Sequence, residues 1–246
     1  MVAALSVEEY VARQPRYTWR RALMRSLIRT IGFTLLAHPT VTGQENIPDS
    51  GPTILMMNHL SLIDPVVCIG AVHHRFVIPM TKIENLHNPL FGLLVRAYAA
   101  YTVDREAVDR KALENSIALV KSGQMILIAP EGTRHPEGLA PAKDGLTYVA
   151  VKSNAVILPT ALAGSQHYKT RWKALRRVPV QVNFGRPFRF KTEGRARIPR
   201  DELTLMTQEA MYQLALAQPD PALRGAYHDL SHATTHTLEF VDPHPD

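Results

Sequence analysis

Apolar residues along this chain follow two alternating rhythms. Over residues 17–37, Trp19, Leu23, Leu27, Ile31 and Leu35 recur at every fourth position, with Arg21, Arg25 and Arg29 as a second stripe beside them. That spacing predicts a basic amphipathic helix. Continuous apolar runs at 53–57, 125–129 and 155–158 predict buried strands, the last closed by Pro159. Val77-Ile78 and residues 101–103 read as short strands, and the alternation over 178–184 as a strand covered on one face. Helical segments lie between them. Asp64-Pro65 supplies a cap and a first-turn proline for a helix through Val66, Val67, Ile69 and Val72, and Asn88-Pro89 does the same for one through Leu94 and Ala97. Further helices are expected over 108–120, over 145–153, and after Pro199, with Leu203, Met206, Ala210 and Leu214 inward. Strands alternating with helices predict an α/β fold: a single domain with a central mixed sheet flanked by helices, preceded by the basic amphipathic helix. The expected divisions are a helical region at 1–40, the α/β domain at 41–218 and a partly flexible C-terminal extension at 219–246, polar from His232 onward.

Of the 246 residues, 20% are charged and 46% hydrophobic, which suits one substantial core and excludes a disordered chain. The formal charge of +6 is unevenly spread, because Arg13, Arg16, Arg20, Arg21, Arg25 and Arg29 are opposed locally only by Glu8 and Glu9. Such a patch fits anionic lipid, nucleic acid or an acidic protein. No zinc-finger spacing or nucleic-acid motif accompanies it, so nucleic acid is not an expected partner.

Two surfaces could hold the amphipathic helix. It could cover the core with its arginines in water, or lie in a membrane interface. Its five apolar side chains would contribute very roughly 8–15 kcal/mol on either, as an upper bound, and each arginine near an anionic surface about 1 kcal/mol more. The arginine stripe has no use on a plain core helix, so an anionic membrane surface, met through residues 13–37, is the expected partner. No apolar stretch is long enough to span a bilayer and no cleaved leader is recognised. Cys68 is the only cysteine, which rules out an intrachain disulfide and suits a reducing compartment. Peripheral attachment at the cytoplasmic face of the cell membrane is the resulting expectation.

Two of the predicted strands discharge into polar clusters. The first runs into Asn58-His59-Leu60-Ser61-Leu62-Ile63-Asp64, and the second into Pro130-Glu131-Gly132-Thr133-Arg134. In α/β sheets, ligands bind at such strand ends. His59 and Asp64 do not share a helix face at five residues' separation. They can meet if His59 lies in the loop and Asp64 caps the following helix; otherwise Asp64 is only a cap and His59 a loop histidine. Asn58 and Ser61 flank the pair as candidate substrate contacts. Gly132 permits a tight turn, Arg134 offers a planar fork for phosphate oxygens, and Glu131 could hold an arginine in place. Arg105, after the strand at 101–103, could add a second cation, although a surface ion pair is its default reading.

In order, NHLSLID, VDR, PEGTR and a proline-bearing apolar block at Ile157-Leu158-Pro159 resemble the glycerolipid acyltransferase family, typified by 1-acyl-glycerol-3-phosphate acyltransferases. The resemblance extends over about 41–187, from Val41-Thr42-Gly43 and Asn46-Ile47-Pro48 to Gly185-Arg186-Pro187. It implies that His59 is a general base and Asp64 its partner, and that Glu131, Gly132, Thr133 and Arg134 lie with Arg105 at the acceptor's phosphate. It adds Lys82 in a stretch that is often basic. It also implies an acyl-CoA or acyl-carrier-protein donor and a lysophospholipid acceptor; no cofactor and no metal are expected. Ala99, Ala129, His135, and Ala142 ahead of Lys143, depart from the family pattern without touching the proposed base.

The activity implied is transfer of a fatty acyl group from a thioester to a lysophospholipid hydroxyl in phospholipid synthesis. Glycerol-3-phosphate, another lysolipid or an aminoacyl lipid is the alternative acceptor. A non-catalytic peripheral lipid-binding protein would use the basic helix but leave both polar clusters unexplained. A serine or cysteine hydrolase is disfavoured, since no GxSxG elbow occurs and Cys68 sits in an apolar helix. His232 and His236 have a helical metal spacing but lack a third ligand, and neither GxGxxG nor a Walker loop is present.

Overall fold

A computed structural model of the chain describes residues 6–82, 86–87, 89–103, 109–195 and 197–244. Its centre is β2 (Thr53–Met57), whose five residues are all buried. β2 lies between two parallel neighbours, β5 (Met125–Ile128) and β6 (Val156–Ala163). β3 (Val77–Lys82) and β4 (Tyr101–Val103) extend the parallel set beyond β5. On the other side β7 (Val178–Phe184) runs antiparallel to β6, and β1 (Ala37–Thr42) pairs parallel with β7. The order is thus β1-β7-β6-β2-β5-β3-β4, a mixed sheet. β8 (Phe188–Phe190) pairs with β6 and with β9 (Leu238–Phe240).

The apolar runs of β2, β5 and β6 reflect burial on both faces. Ile54, Met56, Ile126 and Ile157 pack on one side with α5 (Asp109–Lys121), α6 (Gly145–Ser153) and α8 (Arg200–Ala217). Leu55, Met57, Leu127 and Leu158 pack on the other with α3 (Asp64–Ala71). α4 (Pro89–Tyr98) leads into β4, and α7 (Tyr168–Lys173) follows β6.

β6 continues through Pro159 to Ala163, so the proline does not close it as expected. The Pro159 carbonyl accepts the Gly185 N–H at 2.8 Å. In an extended strand the missing N–H faces the same way, and there the neighbour changes from β8 to β7. No ladder donor is needed at that gap. β1, β8 and β9 were not expected. β1 contains Pro39, tolerated because this is an edge strand, and the other two have three residues each. β1 also spans the division expected at residue 40. The C-terminal segment, expected as a polar tail, returns to the sheet as β9. Buried Glu209 fastens it by accepting from Thr234 Oγ1, the His236 N–H, and the Thr237 N–H and Oγ1.

The N-terminal helix exists, but its faces are inverted relative to a core-covering helix. α1 (Val7–Ala12) precedes α2 (Gln14–Leu27), which continues π-helically over Ile28–Leu36. Trp19, Leu23, Leu27, Ile31 and Leu35 are 41–68% exposed, whereas Arg21 is 2% exposed. Arg21 donates to the Tyr98 and Ala99 carbonyls, to the Tyr10 hydroxyl and to Gln14 Oε1. Its guanidinium also lies 5.5–5.8 Å from the ring centroids of Tyr10, Tyr17 and Tyr98. Arg25 donates to the Arg75 carbonyl and stacks 4.6 Å over Phe76. Two of the three stripe arginines, Arg21 and Arg25, therefore anchor the helix to the domain.

Replacing Arg21 with Leu orphans buried acceptors at a cost of about 3 kcal/mol, expected to lower Tm by roughly 6–12 °C. A calorimetric Tm equal to wild type would remove the anchoring role. Further along, a Cβ on Gly70 would stand 2.3 Å from the Phe33 ring. The bare glycine lets the π-helical segment rest directly on α3.

Candidate active site

At the end of β2 the chain turns through 58–63 before entering α3. Asn58 is buried, and its amide clamps β6 by donating to the Leu162 carbonyl (2.9 Å) and accepting the Leu162 N–H (2.7 Å). The clamp aims the next residue out of the sheet edge. His59 emerges with its side chain 21% exposed, and its Nδ1 lies 2.9 Å from Asp64 Oδ2.

Asp64 is fully buried. It is the first residue of α3, with Ile63 at the cap position. Its carboxylate therefore does not cap that helix as expected, but turns back into the preceding turn. There Oδ2 accepts the Ser61 N–H at 2.6 Å and Oδ1 the Ser61 hydroxyl at 2.9 Å. A carboxylate facing Nδ1 selects the tautomer protonated on that nitrogen, leaving the Nε2 lone pair free. Among the described residues nothing bonds Nε2.

The second cluster follows β5. Glu131, only 4% exposed, accepts the His59 N–H at Oε2 (3.0 Å) and the Ala140 N–H at Oε1 (3.2 Å). The His135 N–H donates to the His59 carbonyl at 2.7 Å. The 131–135 turn thus grips both sides of the His59 peptide backbone. Asn58, Ser61 and Glu131 were expected to contact substrate, with Glu131 also able to hold an arginine in place. All three are buried and engaged with protein groups: one clamps the sheet, one buttresses Asp64 and one braces His59.

Burial pushes the Glu131 carboxyl up to about 7 against the opposing pull of the two amide bonds. A raised folded-state value means the native protein keeps a proton that the unfolded chain releases. Stability from this group is therefore present at low pH and lost as pH rises from the ordinary 4.5 to about 7. Relative to wild type, Glu131→Gln should gain on the order of 3 kcal/mol over that window, beneath a constant penalty for its lost amide bond. Urea unfolding at pH 4.5 and pH 8 measures the difference, and parallel curves would refute it.

Gly132, Thr133 and Arg134 are exposed on the outer side of the turn. Gly132 has φ +76°, which suits glycine. Lys143 Nζ stands 3.8 Å from where a Cβ on Gly132 would lie. That lysine was not among the expected site residues; a single lysine ahead of a helix carries no signal of the fold bringing it here. Arg134 and Lys143 are exposed, and among the described residues neither is paired with a carboxylate. Lys82 ends β3, which is parallel to β5, so its backbone lies at the same sheet edge. Arg105 lies outside the described residues.

Cys68 is fully buried one helix turn beyond Asp64, and burial, with the Asp64 charge added, holds its thiol well above the usual range. It is no nucleophile in this setting. Leu62 and Val66, two residues to either side of Asp64 in the sequence, are 45% and 40% exposed. The site thus combines an oriented imidazole with a free nitrogen and a neighbouring cationic turn.

A family model described as Acyltransferase matches residues 38–163, just over half of the chain. A 1-acyl-sn-glycerol-3-phosphate acyltransferase of Streptococcus pneumoniae is 30% identical over 173 residues, 70% of this chain and 62% of that protein. Its namesake in Borreliella burgdorferi is 30% identical over 149 residues, 59% of each chain. The chain spans about six-tenths of the length of these curated relatives. The crystal structure of the 1-acyl-sn-glycerophosphate acyltransferase from Thermotoga maritima superposes with a TM-score of 0.60 at 24% identity, over 89% of this chain and 83% of that one, and so shares the fold. With the family match running from β1 to the end of β6 and enclosing both polar clusters, the chain belongs to the Acyltransferase family.

Proposed function

We propose that this protein transfers a fatty acyl group from a thioester to the free hydroxyl of a lysophospholipid, with 1-acyl-glycerol-3-phosphate as acceptor and phosphatidate as product. The His59–Asp64 pair carries the reading, because it leaves Nε2 as an available base at a sheet edge. The names of the curated relatives support the acceptor.

In this mechanism Nε2 of His59 removes the hydroxyl proton as the oxygen attacks the thioester carbonyl. Asp64 stabilises the imidazolium through Nδ1–H. The tetrahedral intermediate then expels the thiolate by breaking the C–S bond, and the imidazolium returns the proton to sulfur. No acyl-enzyme forms. Base catalysis of this kind contributes about 10²–10⁴ in rate. Arg134 and Lys143, joined by Lys82 and Arg105, bind the acceptor phosphate and so hold the hydroxyl against Nε2. Gly132 and Thr133 bring the turn's backbone close to the same phosphate.

Acyl-CoA or acyl-carrier protein serves as donor. The outward apolar stripe of α2 and its π-helical continuation rests in an anionic leaflet at the cytoplasmic face, presenting a membrane-resident acceptor to a peripheral enzyme. No helix among the described residues is long and apolar enough to cross a bilayer.

A panel of lysophosphatidate, glycerol-3-phosphate and lysophosphatidylcholine with labelled acyl-CoA tests the assignment. Lysophosphatidate should give the highest kcat/KM. Fatty acid release without any acceptor would indicate a hydrolase, and no transfer from any thioester would leave a lipid-binding protein. Arg134→Ala should raise the lysophosphatidate KM roughly 10–100-fold, the worth of a charged hydrogen bond, with kcat nearly unchanged. An unaltered KM would remove Arg134 from the phosphate site.

A further inference from the structure

The most exposed large apolar side chain among the described residues lies far from the N-terminal stripe in sequence. Leu175, in the turn that ends α7, is 96% exposed. It also adopts φ +53°, a left-handed conformation that glycine normally supplies at a helix end. The termination is otherwise regular: the Leu175 N–H donates to the Trp172 carbonyl (3.0 Å) and the Arg176 N–H to the Arg171 carbonyl (2.9 Å). In such a motif the residues at positions 171 and 176 usually make an apolar contact; here both are arginines. Local folding would be better served by glycine at 175, and among the described residues nothing covers the leucine.

Its surroundings are cationic. Lys169, Lys173, Arg176 and Arg177 are exposed, and among the described residues none is paired with a carboxylate. Between Asp144 and Glu193 the chain holds nine Lys and Arg and no acid, more positive charge than the +6 of the whole protein. An apolar tip ringed by cations fits an anionic lipid surface, where charge gathers at the headgroups and the tip enters the acyl boundary.

The fold sets this turn beside the N-terminal stripe. Trp172 Nε1 donates to the Leu36 carbonyl at 2.9 Å and Arg177 Nη1 to the Thr34 carbonyl at 3.3 Å. Leu35 and Leu36, 68% and 48% exposed, end the stripe there. Ala37 pairs with Val178, Ala163 with Gln181, and Met57 with Thr160. The α7 turn, the end of the stripe and the loop that bears His59 therefore lie at one end of the sheet.

We propose that Leu175 and its ring of cations form a second lipid contact. A lone helix lying in an interface can roll about its axis. A second point of contact fixes the roll, so that the sheet end carrying His59 faces the leaflet holding the acceptor. The inference rests on the membrane docking proposed above.

Sedimentation with vesicles of phosphatidylglycerol and phosphatidylcholine, against phosphatidylcholine alone, tests it. Leu175→Gly combined with Lys173→Glu and Arg176→Glu should lower partitioning onto the anionic vesicles at least tenfold, as each cation contributes roughly fivefold. It should not lower Tm, since glycine suits the left-handed backbone at 175, and should leave turnover of a micelle-free short-chain acceptor unchanged. Leu175→Cys carrying a polarity-sensitive dye should blue-shift only on anionic vesicles; Cys68, being buried, stays unlabelled. Wild-type partitioning by the triple variant, or a dye that remains in water on bound protein, overturns the second contact alone. Failure of the wild type to bind any vesicle overturns the docking as well. Unchanged partitioning with transfer lost only from acyl-carrier-protein thioesters would reassign the patch to an acidic carrier protein.

Discussion

His59→Ala is expected to lower acyl transfer by about 10²–10⁴ while the protein keeps its fold. The side chain is partly exposed, and Asp64 retains both of its Ser61 hydrogen bonds without it. Asp64 allows a finer dissection. The Ser61 N–H and His59 Nδ1 both meet Oδ2, whereas Oδ1 meets only a hydroxyl that can reverse its role. An asparagine can therefore place its carbonyl oxygen at the Oδ2 position and donate from its amide to Ser61 Oγ. Asp64→Asn would preserve the histidine tautomer and remove only the charge. Turnover should fall by roughly 10–100-fold, the difference between a charged and a neutral partner, and so less than for His59→Ala. Asp64→Ala, which abandons the Ser61 bonds, should cost both activity and stability. Single-turnover assays with Tm measured in parallel separate these cases. Full activity in Asp64→Asn would mean that imidazolium stabilisation is not used, and full activity in His59→Ala would end the base assignment.

A second large effect is expected at the N-terminal stripe. Changing Trp19, Leu27 and Leu35 together to Glu should reduce partitioning onto anionic vesicles by at least about 10³. Three apolar side chains contribute roughly 1.5–3 kcal/mol each on leaving water, and the new charges oppose the lipid. All three residues point away from the domain, so Tm should barely move. Turnover of a soluble short-chain acceptor should persist while turnover of vesicle-borne lysophosphatidate collapses. Retained binding would refute docking through this face, and a collapsed Tm would show that it packs against protein.

These two sites illustrate different degrees of legibility. The strands that carry the polar clusters could be read directly, because β2 and β5 are covered on both faces and must be apolar throughout. β8 and β9 could not. Three-residue strands offer no usable period, and their pairing with each other joins residues about fifty positions apart. Pro159 misled because its meaning depends on which neighbour lies opposite, and that neighbour changes at Gly185–Pro187.

The order of motifs was enough to bring His59, Asp64 and the 131–134 turn to one place as an expectation. It did not separate groups that face outward from groups that hold the site together. Asn58 is satisfied by Leu162, 104 residues away, and Glu131 by the His59 amide, 72 residues away. Buried polar groups take whichever partners the fold brings to them, and local spacing does not name those partners. Lys143 entered the site for the converse reason: its position is set by the close approach of its loop to Gly132.

From its amino acids alone this chain settles an alternating α/β architecture, two chemically loaded strand ends and a helix with one apolar and one basic stripe, since each follows from short-range periodicity and residue chemistry. Which stripe turns inward was decided only in three dimensions. The Tyr98 and Ala99 carbonyls and the Tyr10 hydroxyl supply buried acceptors for Arg21, and satisfying that guanidinium rotates the leucines into the solvent.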